Sequence, residues 1–444
     1  MRHLTRNALT ALTIAVAGSL TLSHAALAQT EIQFWHAMGG ELGQKTEAIA
    51  EGFNKSQSDY KVVPVYKGSY TETMTGAIAA FRAKQAPHIV QVFEVGTASM
   101  MAAKGAIYPV HKLMADTGEA FDPKAYLPAV VGYYTDTAGN MLSMPFNSST
   151  PILYYNKDAF QKAGLDPEKA PKTWEEVAEF SKKIIAADAA KCGFTTGWQS
   201  WVQLENFSAL HNVPFATEAN GFAAMDIELK INSDLHVRHI DNMSKWAKDG
   251  IFKYGGRESK SAPMFYSGEC AIYMNSSAAR AGVDANAKTF KVGVGMLPVY
   301  ADVKGAPQNS IIGGATLWVL QGRPEAEYKG VAKFFAHLSK ADVQAAWHQS
   351  TGYLPITLAA AELSQSQGFY AKTPGTDLPA KQMTLNPPTA NSKGLRIGSF
   401  VQIRDVIDGE LEEVWAGKKT AKEALDSAVK RSNDLIKQFV AANQ

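Results

Sequence analysis

The chain has 444 residues, with 44 Lys and Arg against 42 Asp and Glu. That near balance excludes a general field for nucleic acid or anionic lipid, so a charged ligand has to be held by a local site. Only two cysteines are present, Cys192 and Cys270. They can pair in an oxidising compartment or stand as separate buried thiols, and neither has a Cys or His nearby at metal-ligand spacing.

At the N-terminus, Arg2 and Arg6 precede an apolar run from Ala8 to Leu22, followed by Ala26-Leu27-Ala28. This is a charged n-region, a short h-region and a small-residue cleavage site. The run is shorter than the roughly 20 apolar residues a spanning helix needs. A secreted protein is expected, cut after Ala28 and beginning at Gln29. Removing the leader takes two Arg and no acid, leaving 42 basic and 42 acidic residues in a chain of 416. That length is too great for one ordinary core and implies two domains or lobes. No later segment has the apolar length of a span, so membrane contact is expected only through partners.

In chain order, residues 31–35 read as a strand, 42–54 as a helix, 61–65 as a strand, 71–84 as a helix and 88–93 as a third strand. The β-α-β-α-β order indicates an α/β fold with largely parallel sheets, whose strand ends form a ligand-binding rim. Thr173-Trp174-Glu175-Glu176 and Thr420-Ala421-Lys422-Glu423 are capping boxes opening helices to about Ala186 and Val440. No phosphate-binding glycine loop, nucleophile elbow or zinc-helix motif is present. His236 and His239, beside Asp234 and Asp241, read as a solvated helix face and not as a metal site, since no third ligand is in view. Glu205, between Trp201 and Phe207, has no identifiable second carboxylate to make a glycosidase pair. No catalytic residue, metal or cofactor is expected.

The stretch from Met144 to Asp158, with Phe160, Ala163-Gly164-Leu165 and Pro171-Lys172-Thr173-Trp174, resembles the first lobe crossing of extracellular solute-binding proteins of the maltose-binding-like class. Phe265 to Ala271, Gly352 to Ile356 and the final helix after Lys418 fit the same class in order. Within it, Phe34-Trp35-His36, Tyr66 to Tyr70, Gln91 to Thr97, Gly197 to Trp201, Asn309 to Gly314 and Lys393 to Arg396 are similar to the sn-glycerol 3-phosphate-binding family of Ugp-type ABC importers.

The resemblance implies a two-lobe α/β periplasmic binding protein with three crossings and a central cleft. Residues 29–146 and 292–340 would form the N-terminal lobe, and 147–291 and 341–444 the C-terminal lobe. It implies a monomer that captures sn-glycerol 3-phosphate or glycerophosphodiesters such as glycerophosphocholine. The cargo would pass to two permease subunits driven by a cytoplasmic ATPase pair, without nucleic acid, membrane insertion or turnover. The contacts it implies are Tyr70, Glu94, Ser149, Trp198, Ser276, Gly314, Tyr353 and Arg396, with Ser276 or its neighbour Ser277 facing the ligand.

Chemically, Arg396 would fork onto phosphate oxygens, and the hydroxyls and the Gly314 amide would satisfy the rest without added charge. Glu94 would accept from glycerol hydroxyls, and Trp198 would wall the carbon chain. An oligosaccharide or polyol binder of the same fold and a secreted glycerophosphodiester hydrolase are the alternatives.

Overall fold

The computed structural model describes residues 29–103 and 105–443; the expected leader and its cleavage site lie outside them. Among the described residues, ten strands form two sheets. The first holds β1 (Thr30–His36), β2 (Tyr60–Tyr66), β3 (Ile89–Phe93), β4 (Ile107–Tyr108), β5 (Met144–Ser149) and β10 (Gly313–Leu320). Its order is β2-β1-β3-β10-β4, with β5 also paired to β10. The second holds β6 (Pro151–Asn156), β7 (Cys192–Thr196), β8 (Cys270–Ser276) and β9 (Val292–Gly295), in the order β7-β8-β6-β9. Pro64 sits on β2 at the sheet edge, where a missing N–H costs no ladder bond.

The sheets are mixed, not largely parallel. β1 runs parallel to β2 and β3, and β7 to β8, but β10 is antiparallel to β3, β4 and β5, and β6 to β8 and β9. β6 and β10 each follow directly on a crossing between sheets, so neither is fed by a helix returning over its own sheet. This is a two-lobe α/β fold.

The lobe boundaries differ from the expected ones. The chain leaves the first sheet through Thr150, between β5 and β6, so Ser148 and Ser149 still belong to the first sheet. β9, expected in the N-terminal lobe, pairs with β6, which puts the return between Gly295 and Gly313. The segment after residue 340 also stays with the first lobe for longer: Trp347 stacks on Phe146 at 4.8 Å, and Tyr353 and Ile356 share that core. The third crossing follows, and Gln382 then donates to the Pro151 carbonyl and accepts from Leu297 N. The helices Phe400–Trp415 and Ala421–Asn443 are packed into one cluster with Val90, Val92 and Trp318 of the first sheet and with Ile231 and Ile240. They bridge the lobes instead of belonging to the second alone.

Local signals set several helix starts. Thr173 and Glu176 cap the helix Trp174–Ala186 reciprocally, as Thr420 and Glu423 do for the last helix. A third such box, Ser69 with Glu72, opens the helix Tyr70–Arg82 and so fixes Tyr70 at its first turn.

Cys192 and Cys270 are register partners at the starts of adjacent strands and are disulfide-bonded. His236 and His239 are fully buried, which corrects the reading of a solvated face. They share the inner side of the helix Asp234–Lys248 with Ile240 and Met243. His236 bridges the Ser208 and Ser233 hydroxyls, and His239 lies between Gln203 and Tyr300, stacked on Phe207 at 4.2 Å. Among the described residues no cluster of ligands could hold a metal, and no helix is long and apolar enough to cross a membrane.

The candidate ligand cleft

Between the two sheets lies a cavity of about 180 Å³. Seven of the eight expected contacts line it: Tyr70, Glu94, Ser149, Trp198, Ser276, Gly314 and Tyr353. Five of them reach it from the end of an element, and Trp198 and Tyr353 from loops. Ser149 and Ser276 are the last residues of β5 and β8, Glu94 follows β3, Gly314 is the second residue of β10 and Tyr70 the first of its helix. The sheets therefore deliver polar groups at strand termini, where open α/β sheets bind ligands.

Tyr70 stacks on Phe93 with ring centroids 5.1 Å apart and planes 3° apart, an arrangement worth about 0.5–1.5 kcal/mol beyond burial. Its hydroxyl accepts from Asn147 Nδ2 at 3.0 Å, and Asn147 Oδ1 in turn accepts from Gln91. Tyr353 stacks on Trp347, and burial pushes its phenol up to about 12, so it stays a neutral donor. Ser276 lines the cavity, whereas the Ser277 hydroxyl is buried and has no partner among the described residues. Gly314 has φ +93°, and a Cβ there would run into the Asn147 carbonyl oxygen. Only glycine fits that approach.

Trp198 has φ +45° and Glu258 φ +54°. The Trp198 amide donates to the Glu258 carbonyl at 2.8 Å. Both residues face the cavity, and such left-handed backbone in bulky residues concentrates at functional sites. Trp201, next along the same wall, has a buried indole N–H with no partner among the described residues.

The eighth expected residue, Arg396, is not in the cavity. Its Nη2 donates to the carbonyls of Gly132, Tyr133 and Thr135 at 2.8–3.2 Å, and its guanidinium lies over the Phe222 ring at 4.5 Å. Those carbonyls come from the end of the helix Pro128–Tyr134, whose unsatisfied acceptors attract a cation. Arg396 thus ties the chain to the outside of the first lobe.

The cleft arginine is Arg404, which the sequence analysis missed. It is 6% exposed and held between two buried carboxylates. Nε and Nη2 donate to Glu205 Oε1 and Oε2 at 2.9 and 2.7 Å, and Nη2 also donates to Glu94 Oε1 at 2.7 Å. No partner for Nη1 is found among the described residues, which leaves that donor for whatever enters the cavity. Burial raises the Glu94 carboxyl above its ordinary value, and the negative charge of Glu205 adds to this, against the pull of Arg404. The signal for Arg404 lies in its helix: Phe400, Ile403, Ile407 and Leu411 form one apolar stripe, and an arginine embedded in it has to find a buried partner.

The bacterial extracellular solute-binding protein family model matches residues 39–345. The sn-glycerol-3-phosphate-binding periplasmic protein UgpB of Yersinia pseudotuberculosis is 52% identical over 439 residues, 99% of each chain. The protein of that name from Pectobacterium atrosepticum is 53% identical over 419 residues, 94% of each. Among solved structures, UgpB from Mycobacterium tuberculosis in complex with glycerophosphocholine superposes with a TM-score of 0.75 at 21% identity, covering 93% of this chain and 100% of that one. Maltose-bound MalE3 of T. maritima gives 0.72 at 21% identity, covering 91% and 100%. At that identity the structures speak for the fold. With the family model spanning well over half the chain and full-length relatives above half identity, the chain belongs to the bacterial extracellular solute-binding proteins, in the group that holds the UgpB proteins.

Proposed function

We propose that the protein is the periplasmic binding component of an ABC importer, and that its cleft takes sn-glycerol 3-phosphate and glycerophosphodiesters. The observation that carries this is the convergence of one guanidinium, four hydroxyls and a glycine backbone on a single cavity. Arg404 supplies the charge-assisted donor to a phosphate oxygen through Nη1. The hydroxyls of Tyr70, Ser149, Ser276 and Tyr353 and the Gly314 amide meet the remaining oxygens. Glu94 takes the glycerol hydroxyls, and Trp198 and Trp201 cover the carbon chain. The relatives named for sn-glycerol 3-phosphate support the ligand class. Outside the cavity the cleft opens into a wider space bordered by Glu72, Glu258 and Asp405, with room for the alcohol of a phosphodiester.

The protein works by binding, without turnover. Glu94 and Glu205 both accept from Arg404, so neither stands as a free acid or nucleophile. The cavity walls come from both sheets, so a ligand gripped there favours the closed form by its differential affinity. A shift from mostly open to mostly closed requires ~5.5 kcal/mol of such preference. The closed, loaded form is what two permease subunits, driven by an ATPase pair, would receive. Calorimetric titration with glycerol 3-phosphate, glycerophosphocholine and maltose tests the ligand class. Heat from the phosphate esters alone supports it, and heat from maltose alone contradicts it. Release of choline from glycerophosphocholine by the purified protein would contradict the binding role.

A further inference from the structure

Glu205 lies behind the cavity wall, 1% exposed, in a segment with an unusual backbone. Trp201–Glu205 forms a π-helical turn that runs straight into the short helix Asn206–Leu210. Such turns are rare and cluster at functional sites. This one turns three side chains to three separate tasks. Trp201 faces the cavity, Gln203 bonds Thr196 and His239, and Glu205 meets Arg404.

The two carboxylates hold Arg404 differently. Glu205 takes the Nε–Nη2 edge with both oxygens, at 2.9 and 2.7 Å, and is itself steadied by the Ser200 hydroxyl at 3.1 Å. Glu94 accepts a single bond from Nη2. A guanidinium is planar, so fixing one edge in a fork fixes the direction of the remaining donor. We propose that Glu205 is the positioning residue of the site: by clamping the Nε–Nη2 edge of Arg404, it aims Nη1 into the cavity. This rests on the reading that Arg404 meets an anionic oxygen of the ligand.

The geometry makes a counter-intuitive demand. A second carboxylate near an anion site should weaken binding through repulsion, so removing its charge ought to tighten the complex if Glu205 were only a charge. If it positions Arg404, removing it weakens the complex. In Glu205→Gln one acceptor becomes an NH2 facing Nη2, and the fork is lost at nearly constant volume.

Calorimetric titration of the full chain with sn-glycerol 3-phosphate separates the two. Glu205→Gln is expected to bind about tenfold more weakly, with a melting transition that stays cooperative. Ser200→Ala, which loosens Glu205 without touching its charge, is expected to lose about threefold. In an Arg404→Lys background, where no fork can form, Glu205→Gln should change affinity by less than a factor of two. Equal or tighter binding in Glu205→Gln, or the same tenfold loss in both backgrounds, overturns the proposal. If Glu205→Gln does not fold, Ser200→Ala decides, and wild-type affinity there overturns it. Wild-type affinity in Arg404→Lys would instead contradict the parent reading of Arg404, so the two failures are distinguishable.

Discussion

Arg404 Nη2 donates to Glu94 Oε1 at 2.7 Å across 310 residues of chain, and both side chains are buried. The contact ties the bridging helix Phe400–Trp415 to the end of β3. A buried carboxylate that loses its partner, or a guanidinium left with one fewer, costs far more than a surface pair. Glu94→Ala should therefore lower stability by about 1–3 kcal/mol in urea unfolding, because Glu205 still holds Arg404. It should also weaken binding by loss of the acceptor for the ligand's hydroxyls.

Gly314→Ala places a Cβ against the Asn147 carbonyl at a backbone φ of +93°. The strand end must then shift, moving backbone that lines the cavity. We expect a loss of about 2–4 kcal/mol in stability and a matching fall in affinity, read by thermal melting and calorimetry.

The disulfide spans 78 residues and joins the starts of β7 and β8, away from the cavity. Replacing both Cys192 and Cys270 by Ser should cost about 2–5 kcal/mol in stability and leave affinity for the ligand unchanged. A large loss of affinity in a folded variant would place the cleft elsewhere.

Three buried histidines make the second lobe sensitive to acid. Burial lowers His211 to about 4 and His236 to about 3, and His239 well below its ordinary value. Below pH 6.5 the unfolded chain takes up protons that the folded chain refuses. The stability these groups allow is thus complete above about pH 6.5 and is lost as pH falls toward their folded values. Each histidine contributes a slope of about 1.4 kcal/mol per pH unit across that window. Urea unfolding at pH 7.5, 6 and 5 should show the slope, and His236→Asn should reduce it by about one proton.

Much of the fold was legible because its signals are local. The capping pair Thr173 and Glu176 lies within a single turn, and the strand and helix periods before Phe93 span a few residues each. The lobe boundaries were not, because the pairing of β9 with β6 and the stacking of Trp347 on Phe146 are decided across more than a hundred residues. The lack of a third ligand rightly argues against a metal at His236 and His239 but says nothing about burial, whereas their spacing with Ile240 and Met243 places them on the inner stripe. Seven cavity residues were legible through family resemblance. The arginine was not: Lys393-Gly394-Leu395-Arg396 carries the resemblance, while Arg404 stands on an apolar stripe where a lone charge marks a buried pair.

The central claim is that the anion sits against Arg404 and not Arg396, and paired titrations with sn-glycerol 3-phosphate test it most directly. Truncating a buried charge-assisted contact costs on the order of 2–5 kcal/mol. Arg404→Ala should lose at least thirtyfold in affinity, ~2 kcal/mol by the usual conversion, whereas Arg396→Ala, whose Nη2 donates to three carbonyls outside the cleft, should bind within about a factor of three of the parent. Loss of binding in Arg396→Ala, with wild-type affinity in Arg404→Ala, would contradict the account.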